Sequence, residues 1–218
     1  MINLRVVGNI YWYPEVGFDC NTYLIVDEMV TLVDPGTNLN KLLKNLDKDG
    51  FNIKDINLIV NTHSHPDHCS LNKKLKEISK AKIAMHPDEA KHMMISQEMA
   101  RYFGLDPLNF KVDFYVEEEL NTGKTMWKII HTPGHSPGSI CLYSEEFKVL
   151  ICGDLVFEGS VGRTDFPGGN PAQLKNSIEL VSKLDIEYLL PGHMNPITGK
   201  ENVKENFEFI KKTFFNLL

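Results

Sequence analysis

Apolar and β-branched runs alternate with amphipathic helical stretches along the chain, and Gly, Pro, Asn and Asp punctuate the changes. Positions 4–13 read as a strand, and 22–26 with 29–33 read as a hairpin across Asp27-Glu28 that ends in the turn Asp34-Pro35-Gly36. Leu39, Leu42, Leu43 and Leu46 recur at helical spacing ahead of Gly50. Positions 56–61 form a nearly continuous apolar run, the pattern of a strand buried on both faces. The pattern then predicts a helix that follows the Thr62–His68 segment and runs to Ser79, a strand over 81–85, and a long helix over 87–103 with Pro87 in its first turn. Further strands are predicted over 110–116, 126–130, 139–143 and 149–151. An amphipathic helix over 171–184 carries Leu174, Ile178 and Val181, followed by a strand stub at 188–190. A final helix over 201–218 lines up Val203, Phe207, Ile210 and Phe214. Strands followed by helices, twice over, predict two sheets with helices outside them rather than a doubly wound sheet. No linker or repeat interrupts the order, so residues 1–218 read as one domain.

Composition narrows the class. A chain of 218 residues buries about 70% of its unfolded surface, enough to fold without a structural metal or disulfide, so a metal here would serve chemistry. The net charge of −6, with no Lys/Arg-rich block, argues against a nucleic-acid partner. No apolar stretch reaches the ~18–20 residues of a membrane span, and the first residues lack a signal-peptide pattern, which predicts a cytoplasmic protein. Cys20, Cys69, Cys141 and Cys152 form no CxxC pair and read as small buried hydrophobes; Cys69 stands apart because it adjoins a histidine cluster.

That cluster carries the chemistry. In Thr62-His63-Ser64-His65-Pro66-Asp67-His68, residues two apart in an extended segment point to one side, so His63 and His65 can face one ion. Pro66 suits a helix's first turn, which displaces Asp67 and His68 from that pair and makes a second, adjacent ligand set. His135 sits in a rigid Gly/Pro turn between two predicted strands, Asp154 follows the strand ending Ile151-Cys152-Gly153, and His193 follows Leu189-Leu190-Pro191-Gly192. His131, at a strand end, reads as packed rather than ligating. His63, His65, Asp67, His68, His135, Asp154 and His193 suffice for two cations with one bridging carboxylate and room for water.

These residues resemble the metallo-β-lactamase superfamily: its HxHxDH signature matches His63, His65, Asp67 and His68, and its later ligands match His135, Asp154 and His193 in order. The segment Leu32-Val33-Asp34-Pro35-Gly36 is similar to that family's usual N-terminal region. The resemblance covers nearly the whole chain and implies an α/β (α+β) fold, a four-layer αββα sandwich with the metals at one edge. The nearer likeness is to glyoxalase II-like thioester hydrolases, whose pattern assigns His63, His65, His135 and Asp154 to one metal. Asp67, His68, Asp154 and His193 then hold the other, with Asp154 bridging. His65 in place of glutamate departs from the flavo-diiron branch, and Asp154 in place of cysteine departs from the β-lactam hydrolases. True hydroxyacylglutathione hydrolases carry a further C-terminal helical domain, whereas only positions 201–218 follow the last ligand region here, so the thiol is not expected to be tied to glutathione. Gly162-Arg163-Thr164-Asp165-Phe166 resembles a segment of compact hydrolases and of persulfide dioxygenases, and by that likeness Arg163 could contact an acidic substrate.

The expected activity is therefore a dinuclear metallohydrolase that cleaves a small thioester or related acyl substrate with a metal-bridging hydroxide. Asp67 and Asp154 would be its catalytic carboxylates, with Asp67 also orienting the hydroxide. The cofactor is expected to be two divalent ions, zinc first, with iron or manganese as alternatives. The alternative activity is a mononuclear iron persulfide dioxygenase using His63, His135 and Asp154 as a two-histidine, one-carboxylate triad.

Overall fold

The computed structural model describes residues 5–218. In chain order its elements begin with β1 Arg5–Val7, β2 Ile10–Tyr13, β3 Thr22–Val26, β4 Val30–Val33, α1 Leu39–Lys48 and β5 Leu58–Val60. α2 Pro66–Cys69, α3 Asn72–Ser79, β6 Lys82–Met85, α4 Pro87–Lys91, α5 Met93–Tyr102 and β7 Phe114–Tyr115 follow. Next come β8 Glu119–Asn121, β9 Met126–His131, β10 Ile140–Ser144, β11 Val149–Gly153, β12 Val156–Phe157 and β13 Ser160–Val161. The chain closes with α6 Pro171–Val181, β14 Tyr188–Pro191, β15 Ile197–Thr198 and α7 Lys200–Phe214.

Strands β1 to β7 form one sheet in sequential order, and the second sheet runs β15-β14-β11-β10-β9-β8. Period-two alternation sorts the side chains. Leu58 and Val60 face the other sheet, where they meet Trp127, Ile129, Leu142 and Ile151. Ile59 faces the opposite way and packs with Leu42, Leu46 and Leu75 of α1 and α3. On the far side of the second sheet, Leu150 and Leu189 pack with Leu174 and Ile178 of α6 and with Val203, Phe207 and Ile210 of α7. Helices thus cover both outer faces of two facing sheets, the αββα layering expected from the sequence. No described helix is long and apolar enough to cross a membrane.

Several local expectations change. The strand expected over 4–13 is two antiparallel strands, because Gly8 at φ +52° turns the chain so that Val7 pairs with Ile10; Leu4 lies outside the described residues. The helix expected to reach Ser79 breaks into α2 and α3. The long helix over 87–103 also breaks, at His92, whose ring Nδ1–H donates to the Asp88 carbonyl at 2.6 Å. Of the strand expected over 110–116, only Phe114–Tyr115 pairs, parallel to β6. The short strands β8, β12, β13 and β15 carry too little alternation to be read from sequence.

Candidate metal centre

All seven candidate ligands come together at one edge of the two sheets. His63 and His65 lie in the loop leaving β5, and Asp67 and His68 lie in α2, which Pro66 opens. His135 lies between β9 and β10, Asp154 directly after β11, and His193 after β14. Strand ends of this kind are where open α/β architectures gather ligands.

Asp154 sits at the middle. Its Oδ1 is 3.3 Å from His68 Nε2, while its Oδ2 is 3.5 Å from both His135 Nε2 and His193 Nε2. Asp67 Oδ2 is 3.2 Å from His193 Nε2, and His65 Nδ1 is 2.8 Å from His135 Nε2. Three overlapping groups have donor atoms within 4.8 Å of one another: His63, His65 and His135; His63, His68 and Asp154; and Asp67, His68 and His193.

The hydrogen bonds behind these rings fix which nitrogen faces inward. His68 Nδ1 faces Asp34 Oδ2 at 3.0 Å, His193 Nδ1 faces Glu15 Oε2 at 2.5 Å, and His135 Nδ1 faces the Arg163 carbonyl at 2.8 Å. His63 Nδ1 faces Thr62 Oγ1 at 3.1 Å, and that hydroxyl already donates to Asp34 Oδ2 at 2.6 Å. Each Nδ1 therefore donates outward, and in the neutral ring its Nε2 lone pair is turned toward the cluster. His63 Nε2, His68 Nε2 and Asp154 Oδ1 are buried without a hydrogen-bond partner, the state of atoms awaiting a cation.

The electrostatics agree with that fit. Burial, then the adjoining His68, His65 and His135, holds His63 well below the usual imidazole range; burial and His135 take His65 down to about 3. Burial also opposes charge on His193, but Asp154 and Asp67 outweigh it and raise this ring to about 11. On His68 burial is likewise outweighed, by Cys20 and by Asp154, Asp67 and Asp34, so its pKa rises. Asp154 itself is drawn well below the carboxylate range, because His68 and His193 overcome the effect of its burial. The carboxylates thus create a place where positive charge is favoured, with two neutral imidazoles beside it.

A cleft of about 370 Å³ opens onto the centre. Phe18, Met99, Phe103, Phe157, Val161 and Phe166 line it with His65, Asp67, His135, Asp154, His193 and Arg163. Arg163 forks Asp165 through Nε–Oδ1 at 2.7 Å and a terminal N–Oδ2 contact at 2.6 Å, with its guanidinium 3.9 Å above the Phe166 ring. A more open hollow of about 570 Å³ beside α7 contains none of the seven.

Other positions sort out plainly. His131 stacks on His86 at 4.2 Å and donates to the Pro137 carbonyl, away from the cluster. Cys69 donates to the Ser64 carbonyl at 3.1 Å, and burial pushes its thiol well up, so it packs rather than ligates. Asp34 stands out in the sequence as a turn residue within a segment similar to the family's N-terminal region, whereas Glu15, Thr62 and Glu89 are not singled out there. The strand-end position of Asp34 before Pro-Gly was a weak signal, whereas Glu15 meets His193 from 178 positions away and had none.

The family model for the metallo-β-lactamase superfamily matches residues 16–193, an interval that includes all seven clustered residues. The chain belongs to the metallo-β-lactamase superfamily. Metal-dependent hydrolysis and divalent-metal binding are the broad character of that superfamily. The chain is 38% identical over 188 residues to the "Probable metallo-hydrolase MJ0888" of Methanocaldococcus jannaschii, covering 81% of this chain and 88% of the other. It is 31% identical over 207 residues to the hydroxyacylglutathione hydrolase GloC of Haemophilus influenzae, covering 91% and 96%. Among solved structures, the di-iron-bound form of TTHA1623 superposes with a TM-score of 0.78 at 29% identity, covering 93% of this chain and 98% of that one.

Proposed function

We propose that the protein is a two-metal hydrolase of small thioesters or related acyl compounds. The observation that carries this reading is the set of outward-donating Nδ1 groups, which leaves imidazole lone pairs and two carboxylates converging around Asp154. In this reading His63, His65, His135 and Asp154 hold one cation, and Asp67, His68, Asp154 and His193 hold the other. Bound there, two divalent cations supply Lewis acidity and bring a water's pKa toward neutrality.

The chain's own groups do the rest. Asp67, partly open to the cleft, accepts a hydrogen bond from the attacking water and keeps its lone pair turned toward the substrate carbonyl. Asp34 and Glu15 hold the His68 and His193 rings from behind. Phe18, Met99, Phe103 and Phe166 present an apolar wall that excludes bulk water and receives the acyl group. Arg163 at the rim is the cationic group that an acidic substrate would meet after exchanging its Asp165 contact. Zinc is the first expectation for the cation, with iron or manganese accepted by the same donors. The small acidic chain and its narrow cleft fit a soluble cytoplasmic substrate rather than nucleic acid.

Persulfide oxygenation by a single iron on His63, His135 and Asp154 is the alternative, and because the same seven residues accommodate it, thiol release against oxygen uptake separates the two. Steady-state assay of metal-loaded protein on S-acyl glutathione and S-acyl cysteamine thioesters tests the reading. Release of free thiol is expected, lost in Asp154→Ala together with bound metal. Oxygen uptake with glutathione persulfide and no thioester turnover would overturn it.

A further inference from the structure

Glu89 lies on α4, third residue after the His86 cap, where a glutamate ordinarily turns back to cap its own helix. It does not do so here. Its side chain is buried, the residue being 2% exposed, and among the described residues no cation pairs with it within ion-pair distance. Its Oε1 accepts from Ser64 N at 2.8 Å and Ser64 Oγ at 2.6 Å; its Oε2 accepts from Ser136 Oγ at 2.7 Å and Gly138 N at 2.8 Å. All four partners are donors, so the acceptor capacity of a carboxylate is filled.

The two ends of this clamp are the two ligand loops. Ser64 stands between His63 and His65 in the loop of the first sheet, and Ser136 follows His135 in the loop of the second. The pair so joined includes His65 Nδ1 and His135 Nε2, 2.8 Å apart across 70 positions of sequence. Gly138 supports the fit independently: a Cβ there would lie 2.1 Å from the Glu89 nitrogen, so the loop is pressed directly against α4. Ser96 of α5 adds its hydroxyl to Ser64 at 2.5 Å, and α5 also contributes Met99 to the cleft wall. A buried carboxylate without a cation is costly unless its hydrogen bonds are complete, and an apolar side chain would fill the space without holding either loop.

We infer that Glu89 is a positioning residue for the ion held by His63, His65 and His135, setting the spacing between the two loops that supply those rings. It touches neither substrate nor metal; it acts through Ser64 and Ser136. This rests on the two-ion reading above. Nothing in it concerns the ion held by Asp67, His68 and His193, whose rings are braced by Asp34 and Glu15 instead.

The test is metal affinity rather than rate. Wild type, Glu89→Gln and Ser136→Ala are stripped, refilled with cobalt(II), and titrated with a competing chelator while the visible spectrum and the melting temperature of the metal-free forms are followed. Glu89→Gln keeps the size but places an amide NH2 where two donors point. It is expected to lose about 10- to 100-fold in affinity for one ion, the range for groups that brace metal ligands, while the other ion keeps its affinity and spectrum. Ser136→Ala, which removes one of the four hydrogen bonds, should show the same one-sided loss to a smaller degree, and it decides the matter if Glu89→Gln does not fold. Equal loss of both ions in step with a lower melting temperature, or no loss of either, overturns the role of Glu89 while wild type still holds two. Wild type that holds fewer than two overturns the two-ion reading and this inference together.

Discussion

Asp34 Oδ2 accepts the Nδ1 proton of His68 across 3.0 Å, tying the residue that follows β4 to a ring in α2. The same carboxylate accepts the Thr62 N–H at 2.8 Å and its hydroxyl at 2.6 Å, so one side chain holds His68 directly and His63 through Thr62. Asp34→Ala should weaken metal binding about 10- to 100-fold. It should also cost about 1–3 kcal/mol for the Thr62 N–H left buried without a partner. Chelator titration and urea unfolding of the metal-free protein separate the two effects.

Gly192 is set against the centre without an unusual backbone angle. A Cβ there would lie 2.2 Å from Asp154 Oδ1 and 2.8 Å from His68 Cε1. Gly192→Ala should therefore displace the Asp154 carboxylate and abolish stoichiometric metal binding, with secondary structure by circular dichroism kept.

Metal uptake should release protons. The pKa of His193, raised to about 11, and the raised pKa of His68 mean that both rings carry a proton at pH 7 in the metal-free protein. His63 and His65 are shifted down, so they are already neutral. Filling both sites at pH 7 should expel about two protons from these rings, with ionisation of a bound water adding to the count, and affinity should rise with pH through the alkaline range. Calorimetry of metal binding in buffers of different ionisation enthalpy counts them; a count of zero would contradict the assignment of His68 and His193 as ligands.

Trp127 is fully buried between the sheets with Ile129, Leu142 and Val60. Trp127→Ala should destabilise the fold by about 3–5 kcal/mol, read from the urea midpoint at unchanged slope.

The layering and the seven clustered side chains were legible because each rests on a local signal. Period-two alternation at Leu58-Ile59-Val60 tells which residue faces which layer. The crowding of His63, His65, Asp67 and His68 declares chemistry within six positions. What escaped is non-local or too short for a period. Glu15 and Glu89 look like ordinary surface or helix-start acids, and only tertiary packing brings them to His193 and to Ser64 and Ser136. The break at His92 follows from one ring bonding a carbonyl four residues back, which hydropathy does not register. Strands β12 and β13, two residues each, offer no alternation to detect.

Elemental analysis of the protein purified without added metal tests the central claim most directly. Near two equivalents of a divalent metal per chain are expected in wild type, falling to one or fewer in Asp154→Ala. One equivalent of iron alone in wild type, or two equivalents retained without Asp154, would contradict a two-cation centre bridged by that carboxylate.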